Sequence, residues 1–262
     1  MCLILFAINS HPEYPLVLAA NRDEFLSRPT APAGFWKDAP ERLGGRDLTA
    51  GGTWLAVSKV GGLAAVTNVR EPSRFREGAR SRGDLVTGAL EALPDTETYL
   101  QGLDGSEYNG YNLIVISGGE AWYTSNRVEG QQRLAGGVYG LSNARLDTPW
   151  PKVVRGKDRL AEALSGLAAT RPDLEPLFRL LADTDGAPDA ELPDTGVPLD
   201  VERRLASPFI RMDGYGTRSS TVVLWRSDGT CLFAERTFPP AGGSAEDRRF
   251  EVALPEPIPS LS

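Results

Sequence analysis

Residues 2–24 read Cys2-Leu3-Ile4-Leu5-Phe6-Ala7-Ile8-Asn9-Ser10-His11-Pro12-Glu13-Tyr14-Pro15-Leu16-Val17-Leu18-Ala19-Ala20-Asn21-Arg22-Asp23-Glu24. Leu3 to Ile8 is a continuous apolar run of strand length, and Pro15 to Ala20 is another. The segment between them carries two prolines and the single histidine, His11, and reads as a surface turn. Two such runs joined by a short polar loop predict an antiparallel hairpin buried on both faces. Asn21-Arg22-Asp23-Glu24 then closes the second strand with four consecutive polar residues, which need partners or water.

Working outward, Ser27 to Gly52 is rich in Pro, Gly and Arg and reads as a loop. Thr53–Lys59 and Leu63–Val69 around Val60-Gly61-Gly62 predict a second hairpin. Ser81-Arg82-Gly83-Asp84 has the spacing of a capping box before Leu85, Val86, Ala89, Leu90 and Leu93 at helical intervals. A third hairpin is expected over Tyr111–Ser117 and Ala121–Asn126. Helices follow over Pro151–Leu167 and Asp173–Leu181, with Pro151 suited to a first turn. Ala182–Pro198 is an Asp-, Pro- and Gly-rich loop. Ser219–Arg226 and Thr230–Thr237 make a fourth hairpin, and Phe250–Leu254 is a candidate edge strand. Hairpins first, helices in the middle and hairpins last imply a single α+β domain over residues 1–262, with antiparallel sheets covered by helices.

The composition excludes several function classes. The chain has 262 residues, 28 basic and 35 acidic, for a net charge of -7. No basic run offsets that balance, so no nucleic acid is expected as a partner. No apolar stretch approaches the ~20 residues of a membrane span, so no membrane insertion is expected. One histidine cannot build a His-rich zinc site, and Cys2 and Cys231, the two cysteines, form no CxxC pair. No disulfide framework is implied, and a cytoplasmic location fits. The glycine pairs make neither GxGxxG nor a P-loop, so no cofactor is indicated. The expected partner is a small-molecule substrate or ligand.

Cys2 is the most informative position. If Met1 is removed, Cys2 carries a thiol and an α-amine on one residue. That amine has an ordinary pKa near 8, close enough to neutrality to accept a proton without any histidine. The plain alternative is that Cys2 simply begins a buried strand. Simple hairpin register brings Asn21-Arg22-Asp23-Glu24 beside Cys2, where an arginine favours the thiolate and a carboxylate orients an ammonium. The same cluster reads equally well as a turn held by an internal ion pair. On a regular strand Arg22 and Asp23 face opposite sides, so both reach Cys2 only where the strand breaks. Asn68 and Asn143 stand at the ends of apolar runs, and a side-chain amide can donate to an oxyanion. Arg218 precedes the strand Val222-Val223-Leu224.

Cys2 with Asn21-Arg22-Asp23-Glu24 resembles the NRDE family, also called the transport and Golgi organization protein 2 family. The likeness continues through Gly51-Gly52-Thr53-Trp54-Leu55-Ala56, Thr67-Asn68-Val69-Arg70, Ser81-Arg82-Gly83 and Tyr111-Asn112-Leu113. It resumes at Gly140-Leu141-Ser142-Asn143, Asp147-Thr148-Pro149-Trp150-Pro151-Lys152 and Gly216-Thr217-Arg218-Ser219-Ser220. The resemblance implies a four-layer αββα N-terminal nucleophile (Ntn) hydrolase fold. It also implies an N-terminal cysteine amidohydrolase acting on a non-peptide C–N or related acyl bond, similar to bile salt hydrolases and penicillin V acylases. The matching catalytic positions are Cys2, Arg22, Asp23, Asn68, Asn143 and Arg218. The acylases separate their Arg and Asp by two residues, whereas here the two are adjacent. Asn21, Glu24, Trp54, Arg70 and Asn112 are the expected substrate contacts. Because eukaryotic relatives are linked to haem trafficking and acyl-CoA or lipid binding, the alternative is a non-catalytic carrier. Its phosphate ligands would be Arg22, Arg70 and Arg218, and its haem ligands His11 and Cys2.

Overall fold

The structure, a computed structural model, describes residues 2–240 and 242–255, so the expectation about Met1 lies outside the described residues. Its strands are β1 (Cys2–Ile8), β2 (Leu16–Phe25), β3 (Thr30–Phe35), β4 (Arg42–Asp47), β5 (Leu55–Ser58), β6 (Gly62–Asn68) and β7 (Tyr111–Ser117). They continue with β8 (Glu120–Ser125), β9 (Gln131–Arg133), β10 (Gly137–Leu141), β11 (Arg211–Met212), β12 (Tyr215–Trp225), β13 (Thr230–Thr237) and β14 (Glu246–Ala253). The helices are α1 (Gly83–Glu91), α2 (Thr96–Gln101), α3 (Pro151–Ser165), α4 (Glu175–Leu181) and α5 (Leu199–Leu205).

The strands form two antiparallel sheets. One runs β10-β1-β2-β12-β13-β14, with β11 paired to β12, and the other runs β3 to β9 in chain order. Alternation along β1 and β2 explains the layers. Ile4, Phe6, Ile8, Leu16, Leu18 and Ala20 pack between the sheets against Leu55, Val57, Leu63 and Ile114. Leu3, Leu5, Ala7, Val17 and Ala19 face outward onto Val153 and Leu160 of α3 and Leu177 and Leu181 of α4. On the far side Ala64, Val66 and Leu113 pack on Leu85, Val86 and Ala89 of α1 and Leu100 of α2. The result is the α+β, four-layer αββα sandwich of two antiparallel sheets covered by helices. Because both strand faces are buried, β1 reads as an unbroken apolar run rather than an alternating one.

Several expectations need correction. The Ser27–Gly52 segment is not a loop: β3 and β4 lie within it, and both belong to the second sheet. Residues 137–141 form a strand that covers the edge of β1, and α5 follows the Asp- and Pro-rich loop before any strand resumes. No capping box forms, since Ser81 Oγ accepts from Gly83 N at 3.2 Å and the helix begins at Gly83. His11 is half-buried rather than solvated. Its Nδ1 accepts from Glu13 N, so Nε2 donates to the Leu167 carbonyl at 3.0 Å. The helices end at Ser165 and begin at Glu175, inside the expected bounds, and the C-terminal edge strand starts earlier, at Glu246.

The most consequential difference concerns the second strand. It does not end at Ala20 but continues through Asn21-Arg22-Asp23-Glu24 to Phe25. Within its polar half, Asn21 and Arg22 pair on both sides, with β1 and β12, and Asp23 and Glu24 pair with β12. The irregularity lies opposite, in β12, where the register shifts between Thr217 and Ser219.

Candidate active site

Cys2 begins β1 and pairs with Arg22 of β2, which in turn pairs with Ser219 of β12. The alternation that buries Ile4 and Ala20 between the sheets places Cys2 and Arg22 on that same inner face. Asp23 takes the opposite, helix-facing side. The two residues therefore flank Cys2 from different faces of an unbroken strand, and no turn is needed.

Each is held rigidly. The Arg22 guanidinium lies 4.2 Å from the Trp54 ring and donates to Thr30 Oγ1 at 2.9 Å. Trp54 rests on Gly45, where a Cβ would sit 2.1 Å from the ring, so Gly45 is the residue that lets the ring lie flat. Asp23 Oδ1 accepts from Thr217 Oγ1 at 2.7 Å, and Thr217 is fixed in turn by Ile210 N at 2.9 Å. The Asp23 carbonyl accepts from Tyr215 OH at 3.0 Å. Burial pushes the Asp23 carboxyl up, while the nearby Lys152 and Arg70 charges pull it down. Burial likewise pushes the Cys2 thiol up; the Asp23 charge adds to this, and Arg22 and an Asp23 backbone hydrogen bond oppose it.

Cys2, Arg22, Asp23 and Glu24 open into a cavity of about 340 Å³, with Trp54, Val66 and Asn68 on the facing sheet. Ser81, Arg82 and Gly83 at the start of α1 close another side. That helix end comes close because Gly52 meets Gly83: a Cβ on Gly52 would lie 2.7 Å from the Gly83 carbonyl carbon. Arg82 donates to the Gly110 carbonyl at 3.2 Å, and its guanidinium favours a charged over a neutral Cys2 sulfur.

The expected oxyanion residues differ in role. Asn68 lines the cavity. Continuing the Ile4–Leu141 register by two residues sets Asn143 level with Cys2. The Asn143 amide donates to the Asn68 carbonyl at 2.8 Å, and Ser142 Oγ donates to the Cys2 carbonyl at 3.2 Å. Ser142 and Asn143 together thus tie Cys2 and Asn68 into one frame.

Other expected residues lie elsewhere. Arg218 donates to the carbonyls of Phe25 and Arg28 at 3.0 Å, so it clamps the turn after β2 rather than entering the cavity. Arg70 is ion-paired with Glu202, stacks 4.9 Å from Trp150 and borders a separate cavity of about 220 Å³. Asn21 faces the helices, donating to the Leu181 and Pro208 carbonyls at 2.8 and 2.9 Å. Asn112 is fully engaged by Thr67, Ala144 and Tyr123. Both asparagines are engaged by partners within the fold around the site. Glu24 and Trp54 do line the cavity, but His11 does not.

Three neighbours escaped the expected catalytic and substrate-contact residues: Arg82, Thr217 and Lys152. Lys152 is buried at the start of α3, donates to the Leu205 carbonyl at 3.0 Å and feels both Asp23 and Cys2. Burial brings its ammonium down to about 8, against the pull of Asp23. Arg82 and Lys152 stand inside shared motifs, and that is the signal that could have found them. Among the described residues no group of three or more His, Cys, Asp or Glu side chains is placed to hold a metal ion.

Comparison with known proteins now adds to the geometry. The family model "Transport and Golgi organisation 2" matches residues 1–240. The chain belongs to this family. It is 39% identical over 259 residues to the human transport and Golgi organization protein 2 homolog, covering 90% of this chain and 93% of the human protein. The mouse homolog is 38% identical with the same coverage. The Drosophila melanogaster family member is 31% identical over 264 residues, covering 90% of this chain and 92% of its own. Among solved structures, the chain is similar to the Caenorhabditis elegans N-acylethanolamine-hydrolyzing acid amidase ortholog. That match has a TM-score of 0.43 and 12% identity over 85% of this chain and 92% of the other. Among the described residues, no helix of this family member is long and apolar enough to cross a membrane.

Proposed function

We propose that the protein is an N-terminal cysteine hydrolase of a non-peptide amide or related acyl bond. The observation that carries this reading is the pairing of Cys2 with Arg22 at the mouth of the inter-sheet cavity, with Asp23 buried on the other face. In the proposed reaction Met1 has been removed and the Cys2 amine takes the thiol proton. The sulfur attacks the substrate carbonyl, and its π electrons move to the oxygen. Asn68 donates to that oxyanion, with Asn143 fixing Asn68 and offering its remaining amide hydrogen. Collapse expels the leaving amine, which takes the proton from the Cys2 ammonium. Water then attacks the thioester, the Cys2 amine accepts its proton, and the free acid leaves with the thiol restored.

Asp23, held by Thr217 and facing Lys152, orients the terminal ammonium. Arg22 stabilises the sulfur as its charge develops, which matters because burial alone disfavours a thiolate. Arg218 supports this arrangement indirectly through the turn that follows β2.

The test is turnover of a short-chain amide and ester panel by the wild-type protein and by Cys2→Ala. Release of free acid by the wild type alone supports the reading. Ligand binding that survives Cys2→Ala, with no turnover by the wild type, would favour the carrier alternative.

A further inference from the structure

Five arginines line the cavity: Arg22, Arg28, Arg76, Arg80 and Arg82. Three of them are spent within the protein. Arg28 pairs with Asp47 at 2.7 Å, Arg80 pairs with Glu107 at 2.8 Å, and Arg76 donates to the Ser106 and Tyr108 carbonyls. Arg22 and Arg82 are different. Arg22 is 5% exposed, and its polar contact is the Thr30 hydroxyl; that of Arg82 is the Gly110 carbonyl. Neither has a carboxylate within ion-pair distance among the described residues.

The nearest acids do not fill this gap. Glu24 accepts from Phe25 N at 2.8 Å and lies 4.0 Å from Arg28, so Arg22 and Arg82 feel its charge only at longer range. Asp47 is taken by Arg28 and by the amides of Thr49 and Ala50. Keeping the Arg22 guanidinium away from water without a counter-charge is costly, and the cost is recovered when a desolvated anion arrives; Arg82 is half-buried and opens into the same cavity. A neutral resting thiol supplies no such anion.

We infer that the substrate carries an oxyanionic group, a carboxylate or a phosphate, which sits against Arg22 and Arg82 beside the reacting carbonyl. This names the substrate class of the proposed active site and rests on that reading for turnover, though not for binding. A guanidinium matches either group with two parallel hydrogen bonds. A volume near 340 Å³ is at the small end for ligand pockets and suits a short acyl chain. Short N-acyl derivatives of amino acids or of aminophosphonates fit this description.

The test uses three ligands matched except for charge: N-butyrylglycine, N-butyrylaminomethylphosphonate and N-butyrylglycinamide. Each is titrated by NMR into Cys2→Ala protein, which cannot turn them over, and into the same protein carrying Arg82→Gln or Arg82→Lys. At least one anion is expected to bind about tenfold or more tightly than the neutral carboxamide. That preference should fall to within about twofold in Arg82→Gln, persist in part in Arg82→Lys, and shrink with added salt. Which anion binds tighter separates the carboxylate source from the phosphate source. Equal binding of all three ligands, binding of none, or an unchanged preference in Arg82→Gln overturns the inference. If the wild type hydrolyses none of them while Cys2→Ala still selects the anions, the hydrolase reading fails and this inference stands. If the wild type turns over the carboxamide as fast as the anions, the hydrolase reading stands and this inference fails.

Discussion

Cys2 and Cys231 sit on strands of one sheet, both buried and both unpaired in any disulfide. Cys231 lies at the closing end of the β12–β13 pairing, opposite Trp225, with apolar neighbours from both sheets. Burial pushes its thiol up to about 12. Cys2 is also raised by burial, but it borders a cavity and has Arg22 and Asp23 on its two sides. The same side chain in the same sheet is thus inert in one place and equipped for chemistry in the other. What separates them is the polar half of β2, which supplies charge at the point where the two-sided apolar core stops.

Substitution is the strongest way to break this comparison. Cys2→Ala is expected to lower acyl transfer by about 10³-fold or more, as removal of a nucleophile does elsewhere. Cys231→Ala should leave turnover near wild type and cost roughly 1–2 kcal/mol of stability through lost packing. Turnover assays and denaturant melts on both variants check this, and equal loss of activity would erase the distinction.

Arg22→Met tests the charge beside Cys2. It removes the cation that opposes burial, so the thiol moves further up. Turnover should fall about 10- to 100-fold, and iodoacetamide alkylation of Cys2 should shift to higher pH. An unchanged pH profile would contradict the role given to Arg22. Under the same conditions Cys231 should stay unlabelled in the folded protein.

Two further expectations are structural. Arg218→Ala removes a charged donor from the part-buried Phe25 and Arg28 carbonyl bonds and should cost roughly 1–3 kcal/mol in denaturant unfolding. Glu235 is the smallest effect. It is buried, accepts from Ala33 N at 2.6 Å, and burial pushes its carboxyl up from the ordinary 4.5. The folded state then holds a proton that the unfolded state has released, so this group's contribution to stability falls as pH rises above about 4.5. Glu235→Gln keeps an acceptor for Ala33 without the charge. Its Tm relative to wild type should therefore improve as pH increases through that range, and a pH-independent difference would contradict this.

The apolar elements were legible in the sequence because their runs have strand length or helical spacing. Leu3–Ile8 and Leu63–Val69 are clear cases. β3 and β4 were not, because Thr30–Phe35 and Arg42–Asp47 lack any apolar run and are strands only through pairing within the sheet. β2 continues past Ala20 for the same reason: Asn21 is held by Ser220 and the Leu181 and Pro208 carbonyls, and Asp23 Oδ1 by Thr217, all from distant chain. At the site, Cys2, Arg22, Asp23, Asn68, Glu24 and Trp54 were readable as a cavity group. Arg218, Arg70, Asn21 and Asn112 looked alike in sequence, but the fold spends them on internal partners. Arg82 and Lys152 come from two helix starts, and only tertiary packing reveals that both feel Cys2.

Intact-mass spectrometry of the wild-type protein mixed with an excess of p-nitrophenyl butyrate measures the role of Cys2 most directly. The expected result is a species lacking Met1 that carries one acyl group, mapped to Cys2 and lost again as free acid forms. Protein that lacks Met1 yet stays unmodified at Cys2, with Arg22 and Asp23 intact, would contradict it.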